Sequence, residues 1–175
     1  MKLPKHTSID TRLAPRTKPR KETPMNLTET PELTQWPPTH YVFIEKAGPF
    51  MKVAPEAWGL AHSLVPLLEE HNQITGYTTL YRMSPNVYRA GLALAAPPVK
   101  LPPEFTYELF EGGEYSRFVL TGPFSDLPAA NSRVFELASK NDWMLRPDWC
   151  IENYVTDPRV TPEDKNVIEI LIPTA

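Results

Sequence analysis

The side chains of this chain best suited to chemistry are one carboxylate and a set of aromatic rings. In the segment Ile151-Glu152-Asn153-Tyr154, side chains two apart share a strand face, so Glu152 sits between Cys150 and Tyr154 on one surface. A carboxylate beside an aromatic ring, partly withdrawn from water, attracts a cationic ligand group more strongly than it would in bulk solvent. With its pKa raised by burial, the same carboxylate could instead act as the general base of a hydrolase, activating water with help from a tyrosine hydroxyl. Two plainer roles stand beside these: a solvent-facing strand acid, or an ion pair with Arg117 or Arg89.

The aromatic candidates follow from spacing. Trp58 is turned by about 100° from the apolar stripe of the helix that carries it, which puts it at the rim of the buried face, where an indole can stack on a planar ligand and attract a cation. An ordinary tryptophan at the edge of a core would look the same. Tyr81 and Tyr154 occupy equivalent places in an internal repeat, so they either line a cleft from both sides or plug the two ends of the core. Tyr77 lies two residues from Thr79, the repeat partner of Glu152, and joins the set of ligand-binding candidates.

Other chemistries find no support. His6, His40, His62 and His71 show no metal-ligand spacing, so no metal is expected. No Gly-x-Ser-x-Gly elbow surrounds any serine and no phosphate-cradling glycine loop is present, so no cofactor is expected. Cys150 is the single cysteine; it forms no intrachain disulfide, and within Trp149-Cys150-Ile151 it reads as a small buried side chain.

The elements that must position these residues recur at an offset of 73 to 74 residues. Tyr41 aligns with Tyr115, Gly48-Pro49-Phe50 with Gly122-Pro123-Phe124, Tyr81 with Tyr154 and Pro85 with Pro158. The first unit reads as a strand over 40–45, a helix from about Ala54 to Glu70 with Pro55 in its first turn, and strands over 74–82 and 87–95 joined by a Met83-Ser84-Pro85-Asn86 turn. Its helix carries an apolar stripe of Ala57, Leu60, Ala61, Leu64 and Leu68, with Pro66 expected to kink it. After a proline-rich connector and a further strand over 105–110, the second unit repeats the order. It has a strand over 115–120, a helix over 127–139 capped by Ser125 or Asp126, and strands over 149–155 and 166–172. Ala130, Val134, Leu137 and Ala138 form its core stripe. The expected fold is α+β: two pseudo-twofold-related β-α-β-β repeats form one curved antiparallel sheet with both helices on one face. The other face must be solvated, curved over a ligand or covered by a partner.

Length and composition fit one such domain. The 175 residues divide into a basic, Pro-rich arm over 1–35, expected to be flexible, and a domain over 36–175 with repeats at about 37–96 and 104–174. The arm carries seven basic and four acidic residues, and the remainder 11 basic and 17 acidic. Nucleic acid is therefore expected only through the arm, and the acidic body argues against extended contact with it. No segment is apolar enough to span a membrane and none has the centre of a secretory signal, so a cytoplasmic location is expected.

Taken together, Gly112-Gly113-Glu114-Tyr115, Thr121-Gly122-Pro123-Phe124, Ile151 through Pro158, Thr161-Pro162-Glu163 and the closing Ile168 through Pro173 resemble the GyrI-like family. This is the gyrase-inhibitor-like effector-binding domain, here in a free-standing form. The resemblance covers about residues 37–174 and rests on the order and spacing of these motifs. It implies a ligand cleft between the repeats with an acidic residue suited to cationic, aromatic molecules, and that acid maps onto Glu152. Sequestration, sensing, or modulation of a partner such as gyrase are the roles implied. Hydrolysis of a strained electrophilic small molecule by Glu152 is the alternative that some members of the family suggest.

Overall fold

The computed structural model describes residues 23–174. In chain order the elements are β1 (Asn26–Leu27), β2 (Glu32–Trp36), β3 (Thr39–Ala47), α1 (Phe50–Glu69), β4 (Ile74–Met83) and β5 (Asn86–Leu94). They continue with β6 (Thr106–Phe110), β7 (Gly113–Thr121), α2 (Leu127–Lys140), β8 (Cys150–Tyr154) and β9 (Val167–Ile172). All strands form one antiparallel sheet in the order β1-β7-β9-β8-β4-β5-β3-β6, with β2 also on β7.

The repeat is built into the registers. Thr79 pairs with Glu152 across β4 and β8, and these are also counterparts at the 73-residue offset, so the pseudo-twofold axis passes between them. The outer strands show the same symmetry. Residues 32–36 pair with 113–117, and 39–43 with 106–110, and the paired numbers total 149 throughout. The β2–β3 segment, bent at Pro37-Pro38, thus runs antiparallel to the β6–β7 segment along its length, and each repeat lends a strand to the other. At the bend Gly112 has φ +73°, and a Cβ there would lie 2.1 Å from the Trp36 carbonyl oxygen; only glycine lets the two backbones approach so closely.

These strands correct the expected extent of the arm: β1 and all of β2 but Trp36 fall within residues 1–35, and residues 1–22 lie outside the described residues. The helix start also differs. The α1 helix begins at Phe50, because Pro49 supplies an extended cap whose carbonyl receives the Lys52 and Val53 N–H groups, and Pro55 lies inside the helix. Leu60 is 37% exposed, so the α1 core stripe is Val53, Ala57, Ala61 and Leu68.

Each face of the sheet carries a core. On the helix side Val42, Ile44, Leu92, Ile168 and Ile170 meet the α1 stripe and the four α2 residues, all of which are buried as expected; each large apolar side chain so buried contributes about 1.5–3 kcal/mol. The opposite face carries partly exposed ion pairs, Arg117 with Glu32 and Glu169, beside a second core. The curl of the sheet buries Tyr41, Phe43, Leu80, Tyr115, Trp149 and Leu171 there, and the Arg82 and Arg89 guanidiniums roof Trp149 at 4.0 and 4.1 Å from its ring centre.

Candidate functional site

A cleft of about 840 Å³ opens on the helix side between α1, the ends of β4 and β8, and the loop after β8. One turn apart on α1, Trp58 and His62 place their rings 5.2 Å from each other. Tyr77 of β4 is inclined by 32° to Trp58 at 6.4 Å and by 28° to His62 at 6.0 Å. Tyr154 of β8, the cross-strand partner of Tyr77, stands edge-on to Trp58 at 5.5 Å and 88°. Phe124 closes the far wall edge-on to Tyr154 at 5.9 Å. The result is a basket of rings against which a planar group can stack.

Glu152 lies beneath this basket and is 6% exposed. Its Oε1 accepts a hydrogen bond from Asn131 Nδ2 at 2.8 Å and its Oε2 one from the Tyr154 hydroxyl at 2.8 Å. Neither expected ion pair forms: Arg89 engages Glu45 and Glu108, and Arg117 engages Glu32 and Glu169. Burial raises the Glu152 pKa, against the opposing pull of the Tyr154 and Asn131 hydrogen bonds.

The donors form an ordered chain. Because Tyr154 gives its proton to Glu152, the Thr79 hydroxyl must donate to Tyr154 across 3.0 Å. Thr79 then accepts from Tyr88 at 3.1 Å, and Tyr88 accepts from the Trp58 indole at 2.9 Å. Every hydroxyl in this chain is satisfied with Glu152 Oε2 as the terminal acceptor, and bonds aligned in one direction polarise one another. The neighbouring charge and burial push the Tyr88 hydroxyl up to about 12, burial first. At the mouth, Arg159 binds both carboxylate oxygens of Asp157 and draws its pKa down to about 2, while burial, and then Arg159, lower the pKa of His62.

Of the sequence candidates, Trp58, Tyr77 and Tyr154 line the cleft and Glu152 underlies it. Tyr81 does not reach it: at 4% exposure it donates to Asn131 Oδ1 at 3.0 Å on the other side of the carboxylate. Sequence reasoning missed His62 and Phe124. Both carried a signal, His62 as the residue four after Trp58 on a helix and Phe124 as the end of the repeated Gly-Pro-Phe triplet.

The family model of the GyrI-like small molecule binding domain matches residues 29–175. The chain belongs to that family. Solved structures share the fold. EcmrR in complex with DNA is 13% identical with a TM-score of 0.64, matching 83% of this chain and 57% of its own length, so the present chain spans little more than half of that protein. SAV2435 bound to tetraphenylphosphonium is 12% identical with a TM-score of 0.65, covering 83% of this chain and 93% of its own. A hydrolase from Listeria innocua is 12% identical with a TM-score of 0.53, covering 84% and 92%. No curated protein sequence matches the chain. It is thus a GyrI-like small molecule binding domain, and its fold is the α+β arrangement of one curved antiparallel sheet and two helices expected from the sequence.

Proposed function

We propose that the cleft binds an amphipathic aromatic cation between the rings of Trp58, Tyr77 and Tyr154, with Glu152 supplying the counter-charge from below. The observation that carries this reading is the buried carboxylate: among the described residues no Lys, Arg or His lies within ion-pair distance of it. A buried acid without a cationic partner is costly, and a ligand cation offsets that cost. The aromatic walls add about 0.5–2 kcal/mol each where a desolvated cation meets a ring face. The tetraphenylphosphonium complex of the similarly folded SAV2435 supports the same ligand class. Sequestering such a cation, or sensing it on behalf of a partner, uses the same contacts.

The test is a titration of intrinsic tryptophan fluorescence with tetraphenylphosphonium and with neutral triphenylphosphine oxide. The cation should bind about tenfold or more tighter than the oxide, and Glu152→Gln should bring the two close to equal. Equal binding by wild type, or an unchanged preference in the variant, would refute the role of Glu152.

A hydrolytic role for Glu152 is the second reading, favoured by its raised pKa, its bond to a tyrosine hydroxyl and the fold shared with a hydrolase. Against it, both carboxylate oxygens are already bonded to protein and the group lies below the cleft floor, which leaves a substrate water no direct approach. Turnover of an epoxide or other strained electrophile, lost in Glu152→Gln, would favour this reading over binding.

A further inference from the structure

The pseudo-twofold axis that generates the open lobe of the cleft also generates a second, filled one. Trp58 donates to Thr79, 21 residues on, and Asn131 donates to Glu152, also 21 residues on. Phe124 meets Tyr154 edge-on at 5.9 Å, and its counterpart Phe50 meets Tyr81 edge-on at 5.6 Å. The symmetry breaks at one ring. Phe50 also packs 5.8 Å from Tyr88, the residue that pairs with Tyr81, whereas the residue that pairs with Tyr154 in the second repeat is the smaller Ile168. Beside Tyr154 the cleft stays open between Tyr77 and His62, whereas beside Tyr81 the positions at the 73-residue offset hold Cys150 and Phe135, and Phe50 closes over the rings of Tyr81 and Tyr88.

We propose that Phe50 is the specificity-determining residue that confines the ligand to one lobe, so that the site accepts compact aromatic cations and excludes elongated ones. This rests on the cation-binding reading given above. Removal of the Phe50 ring would uncover Tyr81, Tyr88 and Asn131, the last of which already holds Glu152 Oε1. A second aromatic arm could then lie across the same carboxylate. Cys150 forms the floor of this lobe: it pairs with Tyr81 across β4 and β8 and is 6% exposed.

The experiment compares wild type with the graded series Phe50→Leu, Phe50→Val and Phe50→Ala, using benzyltriphenylphosphonium and the same cation with a biphenylmethyl arm. Affinity for the benzyl cation should stay within about twofold, while the longer cation gains about tenfold as the ring is removed, the yield of burying one more phenyl group. A ligand-free readout runs alongside. Reaction of Cys150, the single cysteine, with dithionitrobenzoate should accelerate by about tenfold through the series with a rate insensitive to low urea, as local access rather than global unfolding requires. If wild type binds neither cation, the functional reading fails while the thiol rates still decide whether Phe50 closes the lobe. Equal gains for both cations, or thiol rates unchanged in Phe50→Leu and Phe50→Val, would overturn the proposal even if Phe50→Ala does not fold.

Discussion

Tyr154 stands between Glu152 and the cleft: its hydroxyl donates to the carboxylate at 2.8 Å while its ring forms the cleft wall. A cation in the cleft therefore meets a phenol already polarised by the charge beneath it. Replacement by phenylalanine separates the two functions. Tyr154→Phe should keep the wall and lose the bond, at a cost of about 1.5–3 kcal/mol for one hydrogen bond to a buried charge. Urea unfolding checks the cost, and tetraphenylphosphonium affinity should fall less than in Glu152→Gln.

Glu152 also makes stability depend on pH. Burial raises its folded-state pKa above the ordinary carboxyl value of 4.5, so between the two values the folded protein holds more protons than the unfolded chain. Stability should then fall as pH rises from about 4.5 through the raised pKa, and level off above it. Glu152→Gln lacks this dependence. Melting temperatures of the two proteins from pH 4 to pH 8 should diverge in favour of wild type toward the acid end; parallel curves would mean that the carboxylate is not strained. Cation binding should run the opposite way, strengthening with pH as Glu152 ionises.

Gly112 is the test of sheet closure. A methyl group there meets the Trp36 carbonyl oxygen at 2.1 Å on a backbone with positive φ, so Gly112→Ala should destabilise by about 2–4 kcal/mol. Gly59 makes the contrast. On the exposed side of α1 an added methyl meets nothing within 4 Å, and Gly59→Ala should stabilise by about 0.5–1 kcal/mol. Thermal melts of the two variants should move in opposite directions.

Trp58 heads the donor chain. Trp58→Phe retains an aromatic wall but removes the indole N–H from Tyr88 and Thr79, which should cost about 1 kcal/mol. It should also abolish most of the fluorescence change on cation binding, because Trp36, Trp143 and Trp149 lie outside the cleft. A signal that persists undiminished would place the ligand elsewhere.

Periodicity made the helices and inner strands legible, and the four-residue stripe of α2 is buried to the last position. It did not reveal β2. Glu-Leu-Thr-Gln-Trp is an edge strand with mostly exposed side chains, so no alternation of apolar residues marks it. The repeat did hold the signal, since an offset of 74 sets residues 32–36 on residues 106–110, with Trp36 matching Phe110. The candidate site was legible where it rests on residue type, in Glu152, Tyr154, Trp58 and Tyr77, which the fold brings together at the cleft. The misplacement of Tyr81 has a different origin. Equivalent positions in a repeat share a backbone, but what packs beside them, Phe50 with Tyr88 at Tyr81 and Phe124 with the open cleft at Tyr154, is a matter of three-dimensional packing. The chain from Trp58 through Tyr88 and Thr79 to Tyr154 includes a bond between residues 75 positions apart, and no local spacing encodes it.

The exchange of β2 and β6 between the repeats makes the molecule a fused version of a strand-swapped dimer. Cut in the connector between β5 and β6, neither half keeps its own outer strand on its own sheet: the first half would expose the edge of β3, and the second the edge of β7. Each half, expressed alone, carries the strand that a second copy of itself needs. Such a fragment is expected to associate in pairs, with two copies of the first repeat placing Thr79 against Thr79 and no carboxylate at all on the axis.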